Sequence, residues 1–171
     1  GVNVMTQVGH SAVRRFVMGE EALERAATPD EVEQMVRLVE EAMEAGAAGI
    51  SSSQAPHQRG EEGEHIPSFF ADEAETHALA DAVKRKGGRL LSINPASKRS
   101  GISEADEALL VELAERSGAA VSWNDFGMGT PDGDRTLEFM EAQVEQGLEI
   151  YAVARCQRAE TRFTLKKLSS V

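Results

Sequence analysis

The feature that most constrains the fold is a regular alternation of short apolar runs and longer amphipathic segments. Short runs of small or β-branched residues begin near Val2, Ala47, Arg89, Ala119 and Ile150. Segments with helical spacing of apolar residues separate them, and a glycine stands at most junctions between a helical segment and the next run. This order predicts five parallel strands joined by right-handed helical crossovers. We expect them to form one sheet in sequential order, with the helices on one face.

The amphipathic segments carry clear helix signals. Thr28-Pro29-Asp30-Glu31 combines a capping residue, a proline suited to the first helical position and a glutamate three residues after the cap. Apolar residues then recur at helical spacing up to Met43, and Gly46 is the expected stop. Helices are also predicted over residues 12–26, interrupted by Gly19, and over residues 72–86, 103–117 and 136–146.

Composition and charge limit the classes of function. Hydrophobic residues make up 41% of the chain and charged residues 27%, a globular mixture suited to one domain or part of one. The 18 Lys and Arg against 29 Asp and Glu give a net charge of -11, which disfavours a nucleic-acid or anionic-membrane surface. No apolar run approaches the ~18 residues that span a bilayer. The single cysteine, Cys156, suits a reducing, cytoplasmic setting.

Polar residues suited to a binding site follow several of the predicted strands. In βα folds, the segments after the carboxyl ends of the strands form the site, and a parallel sheet brings them to one edge. The residues that we expect to contact a small-molecule substrate are His10, Ser52, His57, Asn94 and Asn124, with Lys98 and Asp125 nearby in the same loops. Residues 53–70 form a long loop, of a length that is more often functional than idle.

The histidines leave alternatives open. His10 and His57 follow different strands and could converge as metal ligands, proton-transfer groups or substrate contacts, or each could be a loop histidine bonded to a backbone carbonyl. His65 lies in a Glu-rich stretch and is expected to be solvated, and Trp123 either walls a pocket or packs in the core. No His-x-His, His-Glu-x-x-His or Cys-x-x-Cys motif occurs. We therefore expect no complete hydrolytic metal site within this chain.

Several segments together resemble one family. They are VGHSAVRR and VMG at residues 8–19, ATPDE at 27–31 and EAMEAGAAGISS at 41–52, followed by HQRG at 57–60 and IPS at 66–68. In these segments the chain resembles the N-acyl-D-amino-acid deacylases, the D-aminoacylase-like family of the amidohydrolase superfamily. The resemblance is most specific over residues 1–55.

This resemblance implies a fold and a chemistry. The family is a metal-dependent (β/α)₈ barrel of the TIM type that hydrolyses an N-acyl amide with a metal-activated water, while an Asp acts on the proton. Such a barrel takes ~250 residues. Five strands therefore imply a partial α/β barrel, with residues 1–171 as a single interior segment of a longer catalytic domain, lacking the complete site and inactive alone.

The resemblance also implies zinc, and here the chain departs from the family. The family places a His at the ends of the fifth and sixth strands, whereas the corresponding segments here are LSIN at 91–94 and VSWN at 121–124. Asn94 and Trp123, standing where His is expected, favour a rival hypothesis: a non-catalytic, barrel-derived binding or scaffold protein that has lost its metal ligands. A second rival is an open α/β sheet with a flavodoxin-like strand order that binds a phosphorylated ligand.

Overall fold

Strands and helices alternate through the described residues, which are 1–96, 102–124 and 131–154 of the computed structural model. The strands are β1 (Val8–Gly9), β2 (Gly49–Ser53), β3 (Leu90–Asn94), β4 (Ala120–Asn124) and β5 (Ile150–Val153). The α-helices are α1 (His10–Met18), α2 (Pro29–Glu44), α3 (Glu73–Arg85), α4 (Glu104–Ser117) and α5 (Pro131–Glu145). Short 3₁₀ helices cover Gly19–Leu23 and Pro67–Phe70.

The five strands form one sheet in the order β1-β2-β3-β4-β5, and every neighbouring pair is parallel. Each crossover carries at least one helix, and consecutive strands therefore lie side by side. This confirms the predicted parallel sheet in sequential order, a partial α/β barrel. A flavodoxin-like order would place the first strand inside the sheet, whereas β1 lies at an edge.

The two faces of the sheet differ in polarity because successive side chains of a strand point to opposite sides. The side that packs against the helices is apolar and buried. Four of its residues lie side by side on neighbouring strands, namely Ile50, Leu91, Val121 and Ile150. The next residue of each of the first three of these strands faces the opposite side and is a half-buried serine: Ser51, Ser92 and Ser122. The Ser92 and Ser122 hydroxyls lie 2.9 Å apart, so the inner side of this sheet is hydrogen-bonded and polar.

The predicted start of α2 is confirmed in atomic detail. Thr28 Oγ1 accepts a hydrogen bond from the Glu31 backbone N–H at 3.4 Å, and the Thr28 N–H donates to Glu31 Oε2 at 2.7 Å. This is the capping box that the residue types indicated. Ser103 and Asp106 form the equivalent box at the start of α4.

The first strand is shorter than the strand predicted over residues 2–8. Only Val8 and Gly9 pair with β2, opposite Ile50 and Ser51. A single bond from the Ala48 N–H to the Thr6 carbonyl, 2.8 Å, continues the contact. Alternation of apolar residues predicted the longer strand, but a strand also needs a neighbour along its whole length.

Several residues of the sequence analysis lie outside the described part of the chain, among them Lys98, Asp125 and Cys156. Within the described part, no helix is both long enough and apolar enough to cross a membrane.

Candidate functional site

A cavity of about 280 Å³ opens at the carboxyl edge of the sheet. Its walls come from the ends of β1 to β4, the first residues of α1 and the loop that follows β2. Four of the five residues predicted to contact substrate border it: His10, Ser52, Asn94 and Asn124. The topology therefore brings these four residues together from four separate parts of the chain, as the parallel sheet predicted.

The fifth predicted residue, His57, does not border this cavity. It lies half-buried in a turn after β2, and its neighbour Gln58 lines the cavity instead. His10 and His57 therefore do not converge there. Strand position alone fixes the edge at which a loop begins, but not which side chain of a turn faces inward.

His10 is the first residue of α1, and its side chain is only 1% exposed. Its Nδ1 lies 2.8 Å from Ser52 Oγ, and its Nε2 lies 2.6 Å from Glu75 Oε1. A carboxylate oxygen accepts hydrogen bonds, so Nε2 carries the hydrogen in the second contact. Both ring nitrogens are thus engaged with side chains, rather than with a backbone carbonyl as one alternative held.

Glu75 and Arg14 form a fully buried ion pair behind His10. Arg14 Nη2 also donates to the Arg25 carbonyl at 2.8 Å. Burial alone would raise the pKa of Glu75, but the hydrogen bonds from His10 and Arg14 and their electrostatic attraction outweigh burial and hold that pKa below its usual range. The carboxylate therefore stays ionised and ties α1 to α3.

Sequence reasoning missed Arg14 and Glu75. Charged residues in an amphipathic helix normally face solvent, and both lie in such helices. One signal was available: His10 and Arg14 are four residues apart, so they share a face of α1. A buried His10 therefore brings Arg14 inside with it.

Three serines attach the long loop to the edge of the cavity. The Ser68 N–H donates to Ser11 Oγ at 3.1 Å, and Ser68 Oγ donates to the Ser53 carbonyl at 2.8 Å. These bonds connect α1, the 3₁₀ helix Pro67–Phe70 and β2. The loop over residues 53–70 is therefore anchored at its far end, next to the cavity.

The expectation that His65 is solvated is wrong, because its side chain is half-buried. Its ring stacks on Phe69 with centroids 3.7 Å apart and planes 4° from parallel. Burial lowers the pKa of His65, and the charge of Arg59 lowers it further. The Glu-rich sequence around it predicted exposure, but the two phenylalanines that follow supply a surface for the ring.

Asn94 and Asn124 end neighbouring strands and meet at the cavity. The Asn124 backbone N–H donates to Asn94 Oδ1 at 3.0 Å. The Asn94 carbonyl accepts from the Gln54 N–H at 2.8 Å, which holds the start of the loop after β2. The strand ends at 91–94 and 121–124, where the resemblance to deacylases implies histidines, therefore carry none, and each ends in an asparagine.

The described residues around the cavity do not fit the zinc that the resemblance implies. Zinc sites in proteins use Cys, His, Asp or Glu, and among the described lining residues only His10 belongs to these types. Both of its nitrogens already have partners. A separate group on α3 and α4 places ligand atoms within 4.8 Å of one another, namely Glu73, His77 and Glu112. None of the three borders the cavity, and Arg116 Nε donates to Glu112 at 3.1 Å, so the group is part of a surface ion-pair network.

Fold and site together define a class: a parallel α/β-barrel segment with a polar cavity at the carboxyl ends of its strands. No protein-family model matches the chain. A D-aminoacylase from Alcaligenes xylosoxydans xylosoxydans is 51% identical over 51 residues, which are 30% of this chain and 10% of that protein. Two solved D-aminoacylase structures cover 90% of this chain at 24% identity and a TM-score of 0.64. One is a mutant in complex with copper chloride, and the other addresses the role of a binuclear metal centre.

These comparisons confirm the resemblance drawn from the sequence: the chain is similar to D-aminoacylase. The local identity supports it in sequence, and the solved structures support it in fold. The chain spans about 30% of the length of the solved structures that it matches.

Proposed function

We propose that this chain contributes part of the substrate site of an amidohydrolase-type hydrolase that cleaves the C–N bond of an N-acyl amide. In this proposal, residues 1–171 are an interior segment of a longer catalytic domain and have no activity alone. The observation that carries it is the polar cavity at the carboxyl ends of neighbouring parallel strands, the edge at which barrel enzymes bind their substrates. Similarity to D-aminoacylase supports the reaction class.

The chemistry of the cavity suits a neutral acyl amide. An acyl amide presents one carbonyl acceptor and one N–H donor, and hydroxyl and amide side chains can complement both. Ser92, Asn94 and Asn124 supply such groups on the inner side of the sheet. Within the described residues, no Lys, Arg, Asp or Glu borders the cavity. This part of the site therefore suits the uncharged portion of a substrate.

His10 and Ser52 have a supporting role in this proposal. Ser52 shares the helix-facing side of β2 with Ile50, and its hydroxyl is bonded to His10. Together with Glu75, they hold the end of β2 against α1 and α3. His57 would contact only a substrate that extends beyond the cavity.

A second candidate is the non-catalytic binding protein. It is favoured by Asn94 and Trp123, which stand where the resemblance implies metal-binding histidines. Such a protein would retain the cavity and bind a polar ligand without turnover.

One experiment separates the two candidates. The full-length protein is incubated with N-acetyl-D-leucine or N-acetyl-L-leucine, and the free amine released is quantified, with metal content measured on the same sample. We expect release of D-leucine at a rate well above that of L-leucine. Saturable binding of the N-acetyl compounds with no amine released, at any metal content, would instead support the binding protein.

A blocking variant links turnover to this cavity. Ser92→Leu places an isobutyl group on the inner side of β3, where Ser92 borders the cavity. We expect this variant to lose turnover. Asp30→Ala on the exposed start of α2 is the matched control and should retain it.

A further inference from the structure

Asn94 presents its side-chain amide at the cavity. Its Oδ1 faces the Asn124 backbone N–H at 3.0 Å. A backbone N–H only donates, so the atom opposite it must be the amide oxygen, and the orientation of the Asn94 amide is thereby fixed. Among the described residues, Nδ2 has no hydrogen-bond partner, while Asn94 itself borders the cavity.

The neighbours of Asn94 that the structure describes leave this donor to a ligand. Asn94 is half-buried at the end of β3, between β2 and β4. Its register partner Ser53 uses its hydroxyl to accept from the Ala55 N–H at 3.2 Å. The oxygen that a ligand brings into the cavity is therefore the natural acceptor for Nδ2.

We propose that Asn94 Nδ2 donates a hydrogen bond to the carbonyl oxygen of the scissile acyl amide. This inference rests on the proposed function. When water attacks, its oxygen bonds to the acyl carbon, and the C=O π electrons move onto the carbonyl oxygen. When that intermediate collapses, the C–N bond breaks, the amine nitrogen takes a proton from the attacking water, and a carboxylic acid and a free amine result.

Asn94 would serve the step in which charge develops. A fixed N–H donor stabilises the negative oxygen more than it stabilises the neutral carbonyl, so it accelerates the reaction. The bond from the Asn124 N–H holds the amide in place before the substrate arrives. Loss of one such donor costs about 10²–10³-fold in kcat in other hydrolases.

Two substitutions separate a donor from a merely structural residue. Asn94→Asp keeps an oxygen to accept from the Asn124 N–H, but it removes both N–H donors and adds a negative charge. Asn94→Ala removes the donor and the acceptor together. In the full-length protein, we expect kcat for N-acetyl-D-leucine to fall about 10²–10³-fold in both variants, with Asp at least as damaging as Ala. Asn3→Ala in the exposed first residues is the matched control and should retain wild-type kcat.

A structural role for Asn94 predicts the opposite order. If the bond to Asn124 were all that mattered, Asn94→Asp would restore turnover to near the wild-type value, whereas Asn94→Ala would not. That order would overturn the proposal, and so would kcat within about threefold of wild type in both variants.

Binding of a tetrahedral analogue tests the donor independently of turnover. The probe is N-methylphosphonyl-D-leucine, whose phosphonyl oxygens mimic the developing charge, and its Kd is measured by calorimetry. We expect the Kd to rise by about 10²-fold or more in Asn94→Asp and to stay unchanged in Asn3→Ala. If the wild-type protein binds the probe through Asn94 but releases no amine from N-acetyl-D-leucine, the hydrolase proposal fails and the role of Asn94 as a donor stands. If the wild-type protein releases amine from N-acetyl-D-leucine and the Asn94 variants bind the probe with an unchanged Kd, the proposal for Asn94 fails and the hydrolase proposal stands.

Discussion

At the scale of single residues, Glu75 has the environment that most constrains the site. Its carboxylate accepts from His10 Nε2 and from Arg14, and all three side chains are almost completely buried. Buried charges are stable only while they remain paired, because removal of one partner leaves the other desolvated. The charge on Glu75 therefore matters more than its volume.

We predict that Glu75→Gln lowers the free energy of unfolding by about 3–5 kcal/mol, since Arg14 would remain buried without its counter-ion. Urea unfolding of the full-length protein at neutral pH measures the loss. Glu73→Gln, at an exposed position two residues away, should change the same quantity by no more than about 0.5 kcal/mol. Equal effects of the two substitutions would show that the buried charge of Glu75 contributes no more to the free energy of unfolding than the exposed charge of Glu73.

For single residues, the sequence predicts position at the edge of the sheet, but it does not predict side-chain partners. Asn94 and Asn124 could be placed at the cavity because each ends a strand, and a parallel sheet aligns strand ends. The partners of His10 could not be predicted, because Glu75 is 65 residues away and its contact depends on how α1 and α3 pack. The direction of His57 depends in the same way on turn geometry that residue types do not specify.

At the scale of secondary-structure elements, the start of α2 combines a cap with an ion pair. Glu31 bonds the Thr28 N–H and also pairs with Arg25, with two nitrogen–oxygen distances of 2.8 Å. Hydrogen bonds from Arg25, followed by the bond from Thr28, lower the pKa of Glu31 to about 2. One side chain thus links α2 to the segment before it.

Removal of the cap tests the local part of this arrangement. We predict that Thr28→Ala lowers the free energy of unfolding by about 1 kcal/mol, because the Glu31 backbone N–H loses its acceptor. Thr28→Ser keeps the hydroxyl and should stay close to wild type in the same urea titration. A Ser variant as unstable as the Ala variant would contradict a capping role.

The ion pair should appear in the pH dependence of stability. The pKa of Glu31 is about 2 in the folded chain against 4.5 for an unperturbed glutamate. Its stabilising contribution is therefore complete above pH 4.5 and is lost as the pH falls toward 2. We predict that Glu31→Gln flattens the decline of unfolding free energy over this interval. Parallel curves for the two proteins would argue against the pairing.

Close approach of two strands makes one glycine irreplaceable. Gly49 begins β2 opposite Leu90, and a Cβ built at Gly49 would lie 1.8 Å from the Leu90 carbonyl oxygen. We predict that Gly49→Ala destabilises the protein by about 1–3 kcal/mol, measured by thermal unfolding. Gly49 and Gly46 both have a positive φ, 154° and 108°, so alanine is strained at either position, but a Cβ at Gly46 meets no atom within 4 Å and Gly46→Ala should cost less. The reverse order would mean that β2 and β3 separate easily.

The elements also differ in how well residue patterns predicted them. Helices with caps at both ends, such as α2 and α4, follow the expected bounds because their signals are local. Strand bounds depend on neighbours: the predicted strand over residues 2–8 contracts to Val8–Gly9, and the one predicted from Ala47 begins at Gly49. Pairing across strands, which a single segment does not encode, decides these limits.

At the scale of the whole molecule, the sheet has two edges, and apolar side chains lie beside both. Tyr151 and Val153 on β5 are 46% and 51% exposed. Leu137 and Val144 on α5 border an apolar groove together with Tyr151. Val2 and Val4, which precede β1, are also exposed. Unpaired strand edges with exposed apolar side chains favour association with further strands.

We predict that residues 1–171 expressed alone self-associate and bind a hydrophobic dye, despite their net charge of -11. Sedimentation velocity over a range of concentrations measures the association. Val144→Lys, which places a charge in the groove beside β5, should reduce it. A monodisperse monomer that unfolds cooperatively would count against an open barrel edge.

We infer that the cavity at the carboxyl ends of the strands binds the acyl group of an N-acyl substrate. A crystal structure of the full-length protein with N-methylphosphonyl-D-leucine tests it most directly. We predict that the phosphonyl group lies in this cavity, with one of its oxygens about 3 Å from Asn94 Nδ2. A phosphonyl group bound outside this cavity, with Asn94 Nδ2 still without a ligand oxygen, would contradict the claim.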